Sequence, residues 1–235
     1  MHDPFSVFSV RFSVPLYWKP RTVIVHIDSR SRQNTALMRI LITGFPPFPN
    51  QPVNPTQLLV ESVQHGHLSL SDHDISAVLL PCEYVGVETA FLDAVTSLNP
   101  DLVLSFGVGR QTPLFRLETT GVNWDEAQIP DNAGETRLGC PILEDGPPKL
   151  FHPWDLVRLG EHLAARGIYH QVSDDAGRYV CNHLNYYGLW QSQKTSSFNF
   201  LFTHVSSVEN GFVLESALGG VEFMIEWIQT STNET

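Results

Sequence analysis

From Met38 onward, short apolar runs alternate with stretches of helical spacing, and this alternation restricts the fold more than any other feature of the chain. Parallel strands need long crossovers, and helical crossovers cover both faces of a sheet, so the pattern requires an α/β domain with a mostly parallel sheet. Arg39 to Thr43 reads as a buried strand. Asn54-Pro55 reads as an N-cap followed by proline at the first helical position, with Leu58, Leu59 and Val63 recurring behind it. Ile75 to Leu80 is a second strand, and Tyr84 to Leu98 a helix with Val87, Phe91, Leu92 and Val95 on one face. Leu102 to Phe106 is a third strand and Leu114 to Val122 a fourth. Ile129 to Gly134 is a turn cluster, and the Pro- and Gly-rich stretch Leu138 to His152 is a loop or short hairpin. Trp154 to Arg166, closed by Gly167, is an amphipathic helix; Tyr169 to Val172 is a short strand. A helix from Tyr179 to Gln191, an apolar strand from Phe198 to Val205 and a helix from Leu214 to Ile228 complete the order.

A chain of 235 residues suffices for one well-buried domain. Its formal charge of -11 argues against a nucleic-acid partner, which needs a basic face, and against anionic membranes. No apolar run approaches the ~20 residues that span a bilayer. Three cysteines, Cys82, Cys140 and Cys181, do not make a disulfide framework. Reduced thiols and a cytoplasmic location are the corresponding expectation. The charge is uneven: residues 1–37 hold five Lys/Arg against two Asp/Glu, while the remainder holds nine against twenty-three. A mis-assigned start, a transit-type peptide and an accessory segment compete to explain residues 1–37. A mis-assigned or disordered leader before a domain of residues 38–235 is the favoured reading.

The string Ser173-Asp-Asp-Ala-Gly-Arg-Tyr-Val-Cys-Asn-His183 places Cys181 near a helix start. The helix dipole there favours thiolate, the nucleophilic form of cysteine. His204, within Phe198-Asn-Phe-Leu-Phe-Thr-His204, and Glu118, within Arg116-Leu-Glu118, supply an imidazole and a carboxylate from separate elements. Thiol, imidazole and carboxylate are the set that cysteine-nucleophile hydrolysis uses. The competing reading is ordinary: a lone Cys is commonly a small buried hydrophobe, and a lone His at a strand end a structural residue. No phosphate loop is present, because prolines interrupt Gly44-Phe-Pro-Pro-Phe48 and Gly107-Val-Gly-Arg110 is too short. No nucleotide cofactor is expected. His65 and His67 lack companions at metal-ligand spacing, so no metal is expected either. Phe45 and Phe48 follow the first strand, where α/β sheets place ligands, and read equally as core aromatics or as walls for a flat apolar substrate.

Five segments, in this order, resemble the pyroglutamyl-peptidase I (pyrrolidone-carboxylate peptidase) family of cysteine peptidases. They are Leu41-Ile-Thr-Gly-Phe-Pro-Pro-Phe48 with Val53-Asn-Pro55; Val103-Leu-Ser-Phe-Gly107; Glu118-Thr-Thr-Gly-Val-Asn123 running on to Ile129-Pro-Asp-Asn-Ala-Gly134; Ala176-Gly-Arg-Tyr-Val-Cys-Asn-His183; and Phe202-Thr-His204. The resemblance covers about residues 38–229. It implies a three-layer α/β/α sandwich with a mostly parallel central sheet and removal of an N-terminal pyroglutamyl residue from peptides, with no cofactor. It implies Cys181 as nucleophile, His204 as base and Glu118 as the third catalytic residue. Phe45 and Phe48 would flank the pyrrolidone ring, with Asn54 and Tyr179 beside it. The family often forms oligomers, so the resemblance also allows a homo-oligomer.

The chain departs from the family pattern at three places. Gln128 stands where the family usually has Arg before Ile-Pro-Asp-Asn, a position suited to helping hold the substrate carbonyl oxygen. Val108-Gly-Arg-Gln111 replaces a Gln-Ala-Gly-Gly-Arg run, and Val205-Ser-Ser207 replaces Ile-Pro-Tyr. Arg110 and Arg178 are the cations considered as substitutes for the missing Arg. A divergent cysteine amidase, and a binding protein that kept the fold without turnover, are the alternative functions.

Overall fold

The structure is a computed structural model that describes residues 37–232, apart from 50, 69, 71, 72, 110 and 111. The expectation for residues 1–37 falls almost wholly outside the described residues. Along the chain lie β1 (Met38–Gly44), α1 (Pro55–Gln64), β2 (His73–Leu79), α2 (Tyr84–Leu98), β3 (Leu102–Gly109), β4 (Phe115–Glu118), β5 (Thr120–Val122), β6 (Asp125–Glu126), β7 (Leu138–Cys140), β8 (Lys149–Phe151), α3 (Leu156–Ala164), β9 (His170–Ser173), α4 (Val180–Thr195), β10 (Asn199–Ser206) and α5 (Leu214–Thr232). Six strands form the central sheet in the order β2-β1-β3-β10-β4-β9. The pairs β1–β2, β1–β3, β3–β10 and β4–β9 are parallel, and β4 runs antiparallel to β10.

Side chains alternate across this sheet, as the period of a strand demands. Ile40, Ile42, Leu104, Phe106, Leu117 and Leu201 pack against α1, α3 and α5. Leu41, Val103, Phe200 and Phe202 pack against α2 and α4. Two apolar cores separated by one sheet make the three-layer α/β/α sandwich.

Several elements differ from their sequence reading, two of them in their partners. Leu114 to Val122 is not one strand: β4 joins the central sheet, while β5 leaves it to pair with β8. Leu138 to His152 is not a hairpin with itself, since β7 pairs with β6 and β8 with β5. Local turn chemistry cannot reveal such non-local partners. The helix expected from Trp154 begins at Leu156, because Asp155 caps it by accepting from the backbone N–H groups of Val157 and Arg158. The helix expected to end at Gln191 continues to Thr195, where Ser196 closes it in the left-handed conformation.

Candidate active site

Strand register brings four positions into one row on the α4 face of the sheet. His204 lies between Gly107 of β3 and Arg116 of β4, directly opposite both. Glu118 follows Arg116 by two residues and therefore shares its face. Glu118 Oε1 accepts from His204 Nδ1 at 2.7 Å and from Arg116 Nε at 2.7 Å. Cys181, the second residue of α4, comes down onto the same row. A Cβ on Gly107 would lie 2.9 Å from Cys181 Sγ, 2.8 Å from the Phe202 ring and 3.2 Å from His204 Cδ2. Only a glycine lets thiol and imidazole approach this closely over β3.

Polar side chains behind the thiol fix the start of α4. Asn182 accepts from Val122 N–H (3.0 Å) and donates to the carbonyls of Val122 (2.8 Å) and Trp124 (3.1 Å), tying the first turn to β5. His183 is buried between Asp125 Oδ2 (2.7 Å) and Glu88 Oε1 (2.8 Å), and Arg137 also meets Asp125 at 2.8 Å. Gly177 turns the chain into the helix with φ +82°. Asn182 and His183 escaped the sequence reading except as neighbours of Cys181. Their partners lie between 58 and 95 residues upstream, and nothing local announces them.

Burial opposes the charge of His183, but its two carboxylate partners outweigh this and raise its pKa. Its contribution to stability is therefore complete below the ordinary imidazole value near 6.5 and is lost as pH rises through the raised value. His183→Gln is expected to cost about 3 kcal/mol, the low end for breaking a buried ion pair, because Arg137 stays on Asp125. For a domain of this size that is about 6–12 °C in melting temperature. Circular dichroism melts between pH 6 and pH 9 check this. The wild-type protein should lose stability over the upper part of that range, and the variant should show less of that slope.

An aromatic-sided cavity of about 560 Å³ opens over the thiol, lined by Phe48, Gln128, Ile129, Tyr179, Cys181, His204 and Arg116 among others. The Phe48 and Tyr179 rings stand 5.8 Å apart. Tyr179 is held by its hydroxyl, which donates to the Pro130 carbonyl at 3.1 Å. Asp131 organises the Pro-Asp-Asn loop by accepting from the backbone N–H groups of Tyr84, Ala133 and Glu135. Asn132 then ties that loop to Phe45–Phe48 by donating to the Pro47 carbonyl.

The residues expected at the site thus divide. Phe48, Tyr179, Gln128, Cys181 and His204 line the cavity, and Glu118 stands behind the imidazole. Phe45 instead belongs to the apolar core of the α2/α4 layer. Asn54 is buried as the α1 cap, accepting from Thr56 N–H at 3.0 Å and donating to the Pro46 carbonyl at 3.0 Å. Arg178 turns to Asp175 at 2.7 Å, and Arg110 lies outside the described residues. Arg116, which the sequence reading passed over, is the one Lys or Arg lining the cavity among the described residues. Its position two residues before Glu118 was the available signal. His65 bonds the Glu61 carbonyl and His67 the Ser62 hydroxyl. No group of residues suited to a metal ion occurs among the described residues, and no described helix is long and apolar enough to cross a membrane.

The electrostatics correct one expectation. Burial pushes the Cys181 thiol well above its ordinary value; Cys82 and Glu118 add to this and Arg116 opposes it. Burial thus works against the thiolate that its helix position favours. A helix end contributes about 0.3–1 kcal/mol. Burying a charge costs more than that when no partner compensates it, and Cys181 is half-buried at the base of the cavity with its Sγ over β3. Burial also holds His204 below the ordinary imidazole range; Glu118 works against this and Arg116 adds to it. Burial works to raise the Glu118 carboxyl, but the bond from His204, then Ser173 and the charge of Arg116, bring it below its usual value. All three directions favour a neutral thiol, a neutral imidazole and an ionised carboxylate near neutral pH.

A family model described as pyroglutamyl peptidase matches residues 38–231. The pyrrolidone-carboxylate peptidase of Vibrio parahaemolyticus is 32% identical over 169 residues, covering 72% of this chain and 78% of that protein. The pyrrolidone-carboxylate peptidase of Streptomyces coelicolor is 36% identical over 153 residues, 64% of this chain and 68% of that protein. Among solved structures, the pyrrolidone carboxyl peptidase of Fervidobacterium islandicum AW-1 superposes with a TM-score of 0.76 at 25% identity, over 82% of this chain and 99% of that one. Pyroglutamyl peptidase I of Bacillus amyloliquefaciens shares the fold with a TM-score of 0.73 at 24% identity, over 80% and 94%.

Proposed function

Because the chain belongs to the pyroglutamyl peptidase family, we propose that it removes the N-terminal pyroglutamyl residue from peptides, with Cys181 as nucleophile, His204 as general base and acid, and Glu118 orienting the imidazole. The observation that carries the assignment of roles is the buried Glu118–His204 bond beside a thiol in the same cavity. At 2.7 Å from a carboxylate, Nδ1 must carry the ring hydrogen, which leaves Nε2 free to accept a proton. Cys181 Sγ gives its proton to Nε2 as it bonds to the pyroglutamyl carbonyl carbon. The C–N bond then breaks, and the leaving amine takes that proton from Nε2. A thioester remains, and water attacks it with His204 again as base, returning the thiol.

Pyroglutamate is a flat, neutral lactam without a free amine. Phe48 and Tyr179 offer it aromatic walls, and Gln128 and the Cys181 backbone N–H offer donors to the developing oxyanion. Among the described residues the one carboxylate lining the cavity, Asp175, is paired with Arg178, so none of them offers a free anion to an α-ammonium. A cytoplasmic homo-oligomer that binds neither nucleic acid nor membrane is the setting we attach to this reading, in keeping with the acidic net charge. Sedimentation velocity tests the assembly.

The discriminating experiment offers coumarin amides of pyroglutamate, proline and glutamate to the purified protein. Cleavage of the pyroglutamyl amide alone is expected. Cleavage of another acyl amide with the pyroglutamyl one untouched would instead establish the divergent amidase.

A further inference from the structure

Arg116 reaches two members of the proposed catalytic trio at once. Its Nε donates to Glu118 Oε1 at 2.7 Å, and its Nη2 lies 3.1 Å from His204 Nδ1. The same Nδ1 lies 2.7 Å from Glu118 Oε1. One ring nitrogen cannot both donate and accept, so the two contacts at Nδ1 compete. The carboxylate wins: two bare lone pairs would not settle 2.7 Å apart, so the hydrogen sits on Nδ1 and points at Oε1. Nη2 then presses a positive charge against a ring that cannot accept from it. This crowding is built into the register, since Arg116 is the direct antiparallel partner of His204.

Glu118 also needs this cation. The carboxylate is fully buried, its Oε2 makes no well-formed hydrogen bond among the described residues, and the neutral Ser173 hydroxyl is its other polar neighbour. A buried carboxylate with only a neutral imidazole beside it would draw a proton onto itself or onto the ring. Arg116 removes that demand.

We propose that Arg116 is a positioning residue of the trio: its guanidinium balances the buried charge of Glu118 and, from across the β4–β10 register, keeps His204 uncharged with Nε2 bare until the thiol delivers its proton. The proposal rests on the reading of Cys181, His204 and Glu118 as the catalytic groups. Among the described residues, the charged and titratable groups facing His204 are Glu118 and Arg116 from β4, Cys181 and Tyr179 from the start of α4, Asp175 from the loop before it, and Cys82 behind Tyr179. Arg116 is the one Lys or Arg among these described groups, and Asp175 is held by Arg178. The direction in which Arg116 moves His204 agrees with this role.

Nitrogen-15 NMR of histidine-labelled protein tests the proposal without turnover, with His204 assigned by its loss in His204→Gln. In the wild-type protein His204 should carry its hydrogen on Nδ1 at neutral pH and titrate below the ordinary imidazole range. In Arg116→Gln its midpoint should rise by about one pH unit, a tenfold change in protonation. The acid limb of kcat/KM for the pyroglutamyl amide should move by the same amount. Arg116→Lys, which keeps the charge and loses the fork, should restore part of the shift. An Arg116→Gln protein that loses rate while midpoint and limb stay in place overturns the idea, as does a wild-type hydrogen on Nε2. Should Arg116→Gln not fold, the wild-type tautomer and the Arg116→Lys titration decide between the same outcomes. Should the pyroglutamyl amide not be cleaved at all, the NMR titration still reads Arg116 alone, so failure of the functional proposal is separable from failure of this one.

Discussion

Cys181→Ala is expected to abolish hydrolysis of the pyroglutamyl amide, by on the order of 10⁶-fold, the loss seen when a nucleophile that acts as one unit with its base is removed. The fold should survive, because the deleted atom is small and the start of α4 is held by Asn182 and His183 rather than by the thiol. Alkylation of the wild-type thiol should have the same effect as the substitution, and substrate should slow it. Burial pushes the Cys82 thiol up to about 12, so Cys82 is a poor nucleophile at neutral pH. Cys82→Ser and Cys140→Ser should therefore keep their turnover. A folded Cys181→Ala protein with wild-type turnover would end the thiol mechanism, whatever the family.

His204→Ala should lower kcat by about 10²–10⁴-fold, the contribution of a positioned general acid–base group. Glu118→Gln should cost less if Glu118 only orients the ring, since the amide oxygen can still accept from Nδ1 while the negative charge is gone. Combined with Cys181→Ala, neither change should cost much more if the three groups work as a unit. In the wild-type enzyme kcat/KM should fall as pH drops through the His204 value. That value lies below the ordinary imidazole range, so activity should persist into mildly acidic solution. Stopped assays between pH 4 and pH 9 measure this. Additive losses in the double variants, or an acid limb above the ordinary imidazole range, would argue that the three residues do not share one reaction.

The strands and helices of the sandwich were readable because their causes are local. Ile40 and Ile42 alternate with Leu41 in a strand that must bury both faces, and Asn54-Pro55 starts α1 with its own side chain and ring. The break between β4 and β5 was not readable. Phe115 to Val122 carries no Pro, Asn or Asp to interrupt it, and only the partners, β10 and β9 for one half and β8 for the other, divide it. The site follows the same division. Gly107, His204, Arg116 and Glu118 form a row because of register between strands about ninety residues apart. Nothing in the segment Phe198 to His204 announces Arg116 as a neighbour.

Composition, periodicity and the five recurring segments were enough to determine an α/β domain, its family and the residue types of the site. Each depends on identity and spacing along the chain. Tertiary structure alone set the electrostatics of the site. It buried Cys181 and His204 so that the thiol is pushed up and the imidazole down, and it put Arg116 2.7 Å from Glu118. Protonation is set by distance and desolvation, and those exist only once α4 has closed over the sheet.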